Sequence, residues 1–272
     1  MGENLAPAMF EVRDVVYRYE RVVALDSISL DIGAGQRVAL LGANGSGKST
    51  LLRLLDGLHF PESGAVRYRS EALTEEMLED ERFSFSFRRS VGMIFQNPDV
   101  QLFNSTVFDE VAFGPLQLRW PRETIRERVA ATLESLDILH LKDRAPHRLS
   151  GGEKKRGAIA SVLVLDPEVL LLDEPTAALD PHSQSQVIDL LAGWKGSGRT
   201  VITATHDLDS VEEIADHCFV FQAGRLVAQG PPAAVLGDAE LLKRTGLLHV
   251  HRHTHRTGEV HSHPHHHHDP QW

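Results

Sequence analysis

Apolar and polar positions divide the chain into alternating strand and helix signals. From Phe10 to Ile32 the period is two: Val12, Val15-Val16, Tyr17, Tyr19 and Val22-Val23 lead into Leu25-Asp-Ser-Ile28-Ser-Leu30-Asp-Ile32, which predicts β-structure. Gly33-Ala-Gly35 predicts a turn into a strand at Arg37-Val-Ala-Leu-Leu41. Leu51-Leu-Arg-Leu-Leu55 then predicts a helix that closes at Gly57. Pro61 to Gly64 reads as a turn, Ala65 to Arg69 as a short strand, Glu71 to Arg89 as a charged loop with some helix, and Val91 to Phe95 as a strand.

From Asp99 the texture changes. Val107 to Phe113 and Arg122 to Leu139 have helical spacing, with Pro115 and Pro121 between them, which predicts a helical subdomain over about 99–160. Ser150-Gly-Gly152 opens a further helix, Glu153 to Leu163. Val169-Leu-Leu-Leu172 is apolar throughout, as a parallel strand covered on both faces would be. Gln184 to Trp194 predicts a helix, Thr200 to Thr205 a strand and Leu208 to Ala215 a helix. Cys218 to Phe221 and Arg225 to Ala228 flank Ala223-Gly224 as a hairpin, and Pro231-Pro232 starts a short helical region. The alternation predicts an α/β fold: a mainly parallel sheet with helices on both faces, joined to an N-terminal antiparallel β subdomain. Residues 1–248 are expected to form one domain and 249–272 a histidine-rich tail without regular structure.

Composition narrows the class. Of 272 residues 42% are apolar and 24% charged, as in an ordinary globular protein. The net charge of −10 argues against an electrostatic hold on nucleic acid. No apolar run reaches the ~20 residues of a membrane span, and Met1 to Pro7 lacks the basic and apolar regions of a signal peptide. Cys218, the single cysteine, suits a reducing cytosol and a small buried apolar position. Any membrane role is therefore expected from the cytosolic side, through a partner.

The stretch Gly42-Ala43-Asn44-Gly45-Ser46-Gly47-Lys48-Ser49-Thr50 lies between the strand at Arg37 and the helix at Leu51. Its spacing, G-x-x-x-x-G-K-S, is that of a phosphate-binding loop. Glycines let successive backbone N–H groups curl around an anion, and the helix start adds its positive dipole end. Lys48 would reach the β- and γ-phosphates, and the Ser49 hydroxyl would ligate Mg²⁺. Gln96, Asp173-Glu174 and His206 also fall at predicted strand ends, where open parallel sheets bind ligands. Asp173 would hold Mg²⁺ and Glu174 would polarise the attacking water. Alone, an Asp-Glu pair after a strand is a helix cap and a strand-end histidine is structural; beside a phosphate loop both point to chemistry. His206 would hydrogen-bond the γ-phosphate.

Leu149-Ser-Gly-Gly-Glu153, just before the apolar strand, resembles the signature motif of ATP-binding cassette proteins. Gln96 is similar to their Q-loop residue, Val169 to Glu174 to their second nucleotide motif, Ala178-Leu-Asp180 to their D-loop and His206 to their switch histidine. Tyr19 resembles the aromatic that stacks on adenine, with Tyr17 the core residue of that pair. The resemblance spans about Phe10 to Leu236. It implies ATP and Mg²⁺ as cofactors, with Ser49, Gln96 and Asp173 on the metal. It also implies two cassettes paired head to tail, so that Ser150, Gly151, Gly152 and Asp180 of one copy face the nucleotide of the other. One set of motifs implies a homodimer or a heterodimer with a paralogue. Glu153 stands where glutamine is commoner in the family, and Ala177-Ala178-Leu179-Asp180 departs from Ser-Ala-Leu-Asp.

Phe95-Gln-Asn-Pro-Asp-Val-Gln-Leu-Phe103 and Thr106 to Pro115 resemble one branch, the ATPases of energy-coupling factor (ECF) importers of vitamins and transition metals. That branch implies a membrane energy-coupling subunit and a substrate-specific membrane subunit, met from the cytosolic face of a bacterial or archaeal membrane. Val100, Leu102 and Phe103 would line a groove for membrane-partner helices, unless they pack into the helical subdomain. The tail narrows the cargo. His249, His251, His253 and His255 alternate, and His261, His263, His265, His266, His267 and His268 follow. Imidazole suits Ni²⁺, Co²⁺, Cu²⁺ and Zn²⁺, and alternate residues of an extended chain share a face. Cobalt or nickel import is the leading expectation, vitamin uptake the runner-up. A nickel-delivery GTPase would need an Asn-Lys-x-Asp motif, which the sequence lacks.

Overall fold

The computed structural model describes residues 8–254 and 260–265, and side chains from 8 to 248. In chain order the first elements are β1 (Ala8–Tyr19), β2 (Val22–Gly33), β3 (Arg37–Leu41), α1 (Lys48–Leu55), β4 (Ser63–Tyr68), β5 (Glu71–Ala72), α2 (Glu75–Glu79), α3 (Glu81–Ser90) and β6 (Val91–Ile94). Then come α4 (Val107–Gln117), α5 (Arg122–Ser135), α6 (Gly151–Leu163), β7 (Val169–Asp173), α7 (Pro181–Ala192), β8 (Thr200–Thr205) and α8 (Val211–Ile214). The chain continues through β9 (His217–Gln222), β10 (Arg225–Gly230), α9 (Pro232–Leu236), α10 (Ala239–Arg244), β11 (His249–Thr254) and β12 (Val260–His265).

An antiparallel sheet of order β2-β1-β4-β5 covers one side of a six-stranded sheet of order β10-β9-β3-β8-β7-β6. In the larger sheet β3 pairs with β8 and β9, and β7 with β6 and β8, all parallel; β9–β10 is antiparallel. Every residue of β3, β7 and β8 is buried. Alternate side chains of these strands serve two cores. Ala39, Leu41, Leu170 and Leu172 join a cluster with α4–α7, while Val38, Leu40, Val169 and Leu171 join one with α1, β1 and β2. Each fully buried Val or Leu contributes about 1.5–3 kcal/mol, so the middle of the sheet is its most rigid part. Its strand ends therefore make firm mounts for chemistry. Cys218 is buried in the first cluster, and burial pushes its thiol up to about 12.

The α/β reading holds, with local differences. Helix α4 runs through Pro115 to Gln117 instead of ending before it. The proline is buried, and it offers no N–H to the Val111 carbonyl one turn back, so the helix continues past it at the cost of that bond. Residues 71–90 hold a short strand and two helices, capped by Thr74 and Asp80, whose side chains accept from Met77 N and Phe83 N. Helix α7 begins earlier than expected, at Pro181, because Asp180 caps it. Helix α8 is shorter than the Leu208–Ala215 pattern. In the tail, where no regular structure was expected, β11 and β12 pair antiparallel.

Asp56 follows α1 and is buried, with Arg88 3.5 Å away. Burial pushes its carboxyl up to about 7, against the pull of Arg88. Its folded-state pKa lies above the unfolded one. The stability this group contributes is complete below the ordinary carboxylate range and is lost as pH rises through about 7. Asp56→Asn should therefore raise the melting temperature more at about pH 8 than at about pH 5. Equal shifts in thermal melts at the two values would contradict this.

Candidate functional site

The loop from Gly42 to Gly47 turns back under the end of β3 through positive-φ glycines. Gly47 has φ 107°, and a Cβ there would lie 2.6 Å from the Ala24 carbonyl oxygen. Only glycine lets the chain pass β2 that closely and enter α1. Gly42, with φ 153°, would drive a Cβ to 2.5 Å from the Phe221 carbonyl oxygen. Ser46 is pinned to the β9–β10 turn, where Gly224 N donates to its carbonyl at 3.0 Å. Asn44 and Gly45 form the exposed rim, while Thr50 is buried in the first turn of α1.

Lys48 is 5% exposed, and its ammonium donates to the carbonyls of Gly42 at 2.6 Å and Ala43 at 3.3 Å. Glu174 Oε1 stands 3.6 Å from it. Burial lowers the Lys48 pKa, and Glu174 opposes that shift. Phosphate oxygens are stronger acceptors than carbonyls, so this ammonium is poised to exchange partners when an anion enters.

Ser49 Oγ, in the first turn of α1, donates to Asp173 Oδ1 at the end of β7 at 2.8 Å. Burial raises the Asp173 carboxyl, and the Ser49 bond works against the rise. A hydroxyl and a carboxylate at this spacing are an all-oxygen donor set, which fits Mg²⁺. Glu174 has φ 44° and its N–H donates to the Ala204 carbonyl of β8 at 2.9 Å. That turn places its carboxylate 3.0 Å from His206 Nδ1. The Glu174 bond raises the His206 pKa, and partial burial opposes it. Lys48, Ser49, Asp173, Glu174 and His206 thus form one connected cluster. Gln96 follows β6 at the same edge, with an exposed side chain.

Tyr19 stands at the end of β1, 38% exposed, its hydroxyl accepting from Arg53 Nη1 at 3.0 Å. Tyr17 packs on the second core and stacks on His59 with ring centres 5.2 Å apart. The core-versus-edge division of the two tyrosines is as expected.

Ser150 and Gly151 are exposed at the N-terminus of α6, away from this cluster. Ser150 caps the helix in a reciprocal box: its Oγ accepts from Glu153 N at 3.4 Å, and its own N–H donates to Glu153 Oε2 at 2.7 Å. The Ser150 N–H bond holds the Glu153 carboxyl below its usual range, so glutamate at this position does the same capping work as glutamine. Gly152 has a packing reason of its own. A Cβ there would meet Ser183 Oγ at 2.2 Å and Ser183 Cβ at 2.9 Å. Asp180 caps α7, accepting from Ser183 N at 3.0 Å and Ser183 Oγ at 2.6 Å, bonds that lower its pKa.

Sequence reasoning passed over two buried groups. Glu110 of α4, 3% exposed, accepts from Phe103 N at 2.8 Å and Asn104 N at 2.7 Å, fixing the turn that displays Phe103. Lys155 of α6 donates to the carbonyls of Phe95 at 3.2 Å and Gln96 at 2.9 Å; burial lowers it to about 8. A charged residue in the apolar rows of α4 and α6 was the available signal. Its distant partner was not readable.

A family profile described as ABC transporter matches residues 25–177. A nickel import ATP-binding protein, NikO, of Rhodobacter capsulatus is 56% identical over 247 residues, 90% of this chain and 97% of that protein. Among solved structures, cbiO1 of Clostridium perfringens, part of the ABC transporter complex cbiONQ, aligns with TM-score 0.74 and 40% identity. It covers 89% of this chain and 95% of that one. A dimeric ATP-binding cassette in a post-hydrolysis state with ADP and Pi aligns with TM-score 0.74 and 26% identity, covering 82% of this chain and 99% of its own.

The packing at Gly152 separates its structural role from any contact with ligand. Gly152→Ala should cost about 1–3 kcal/mol in denaturant melts through overpacking, and Ser183→Gly in the same chain should recover part of it. Gly151→Ala, whose added Cβ would have no neighbour nearer than 3.9 Å, should fold like the parent. A double variant no more stable than Gly152→Ala would show that the clash is not the cause.

Proposed function

The chain belongs to the ATP-binding cassette transporter family, and from that premise we propose that it is the ATP-hydrolysing subunit of an ECF-type importer for nickel or cobalt. The observation that carries the chemistry is the buried cluster at one sheet edge, where a phosphate loop, two carboxylates and a histidine meet. The observation that points to the cargo is the 56% identity with the nickel import protein along nearly its whole length.

The backbone N–H groups of residues 42–50 and the Lys48 ammonium hold the phosphates of ATP, and Tyr19 stacks on the adenine. Ser49 and Asp173, with the Gln96 side-chain oxygen, would hold Mg²⁺, which when bound neutralises charge on the phosphates. Glu174 accepts a proton from the attacking water. An ionised Glu174 can only accept hydrogen bonds, so Nδ1 of His206 carries its proton toward Oε1 and Nε2 is left for the γ-phosphate. The raised pKa of His206 favours the doubly protonated ring, which adds positive charge at the phosphate.

Cassette ATPases of this family work as paired copies with membrane components. We infer that the exposed Ser150-Gly151 corner of each copy, with Gly152 behind it and Asp180 nearby, closes on the nucleotide of the other, in a homodimer or with a paralogue. Membrane subunits, one coupling and one metal-selective, would dock on Val100 (68% exposed) and Phe103 (66% exposed), with Phe113 and Leu116 alongside. The rings of Phe103 and Phe113 meet edge to face at 5.0 Å. Leu102, by contrast, is half-buried toward α6. Among the described residues no helix is long and apolar enough to cross a membrane, which suits a peripheral subunit on the cytosolic face.

The tail is assigned to the cargo metal. The β11–β12 register sets His249 opposite His265, His251 opposite His263 and His253 opposite His261. Directly opposed residues of an antiparallel pair have Cα atoms ~4.5–5.5 Å apart, and imidazole is a ligand type that suits Ni²⁺ and Co²⁺. His255, His266, His267 and His268 lie outside the described residues.

Glu174→Gln should keep ATP affinity, lower turnover by about 10²–10⁴-fold and give ATP-dependent dimers in size-exclusion chromatography. Turnover equal to the parent would remove Glu174 from the base role. Co-expressed with its membrane subunits, the parent chain should drive ATP-dependent uptake of radioactive nickel or cobalt into vesicles. Failure with both ions would overturn the cargo. Ending the chain at Leu248 should leave ATPase activity nearly intact and abolish Ni²⁺ binding in calorimetry. Undiminished binding would take the metal site out of the tail.

A further inference from the structure

Helix α6 carries two different kinds of contact. Its first turn is the exposed Ser150 corner, and ~7.5 Å further along the axis Lys155 turns into the protein. Lys155 is 1% exposed, among the most deeply buried large side chains of the molecule. A buried ammonium is costly unless its donors are satisfied, and a methionine would fill the same space without desolvating a charge. The position of this charge therefore calls for a reason beyond packing.

Its target supplies one. The ammonium donates to two consecutive main-chain carbonyls, Phe95 at 3.2 Å and Gln96 at 2.9 Å. The same segment is tied to α6 from its other end. Gln101 Oε1 accepts from Phe95 N at 3.2 Å, while Gln101 Nε2 donates to Ala158 O at 2.9 Å and Ser161 Oγ at 3.0 Å. On the surface Lys154 Nζ lies 2.7 Å from Asp99 Oδ1. The turn from Phe95 to Gln101 is thus fastened to one helix at both ends and in the middle. Gln96, proposed above as a ligand of Mg²⁺, sits between the fastenings. A helix moves as a rigid body over this distance, so a shift at its Ser150 end is felt at Gln96.

We propose that Lys155 is a positioning residue: by holding the Phe95 and Gln96 carbonyls it sets where Gln96 stands in its own pocket, and it carries to that glutamine the engagement of the Ser150 corner with a second copy's nucleotide. The inference rests on the paired-copy reading above. Gln101 closes the same linkage, with neutral chemistry.

The test uses the full-length chain. Lys155→Met should leave ATP affinity, measured by equilibrium binding, within about twofold of the parent, and lower kcat by about tenfold. It should also bring the Hill coefficient for ATP in steady-state hydrolysis toward about 1. Lys155→Arg, which keeps the cation and its donors, should recover part of both losses, and Gln101→Leu should repeat the Lys155→Met pattern more weakly. In a Glu174→Gln background, Lys155→Met chains should still form ATP-dependent dimers. Dimers that form while Lys155→Met keeps parental kcat and cooperativity would overturn the role of Lys155 alone. A fall in ATP affinity and melting temperature that matches the fall in kcat would overturn it too, because the residue would then be structural. If Glu174→Gln chains stay monomeric with ATP, the paired reading fails and this inference with it.

Discussion

A buried ammonium set between two buried carboxylates governs this structure. Lys48, Asp173 and Glu174 are each about 5% exposed or less; Lys48 opens α1 after the loop from β3, and the two carboxylates stand at the end of β7, both strands being buried along their whole length. In such surroundings both the attraction between charges and the cost of removing them from water are large. The arrangement survives only when every member keeps a partner. Lys48 has the loop carbonyls and Glu174, Asp173 has Ser49, and Glu174 has His206 as well. An incoming triphosphate would enter a place already shaped around unlike charges.

The rest of the fold can be understood as support for that place. The register of β7 against β8 pairs Asp173 with Ala204, and the Glu174 N–H continues the ladder to the same residue. Two residues later on β8's side stands His206. Positive φ at Glu174 is uncommon for a side chain of its kind and is held by this hydrogen bond; it turns the carboxylate out of the sheet toward the cluster. The N-terminal antiparallel sheet is part of the same support. Ala24 of β2 closes on Gly47, Asp26 N donates to Gly224 O at 2.8 Å, and Gly224 N returns to Ser46 O. The loop from Gly42 to Gly47 is therefore wedged between an early hairpin and a late one.

The helical side holds its exposed features with buried polar groups. Glu110 holds the turn that exposes Phe103, Ser150 and Glu153 cap the open end of α6, and Lys155 joins that helix to the segment after β6. The faces proposed for the second copy and the membrane partner thus lie on α4, α6 and the turn between β6 and α4. Only short polar links separate them, which is the physical basis for coupling between sites.

Much was legible from local pattern. Period-two and helical spacing located most strands and helices, because solvent on one side and core on the other leave a trace in adjacent residues. Glycine spacing marked the tight loop from Gly42 to Gly47, and the apolar run before Asp173 marked a strand end, since backbone geometry there restricts residue type position by position. What stayed hidden depended on partners distant in the chain: the strand order, the clash that makes position 152 a glycine beside Ser183, the carbonyls that receive Lys155, and the continuation of α4 through Pro115. A residue's identity carries its own chemistry, but the address of its partner is written only when the sheet brings remote segments together. The sequence alone determined which groups could act; the tertiary structure decided which of them meet, because burial charges each polar atom a penalty that only a particular neighbour removes.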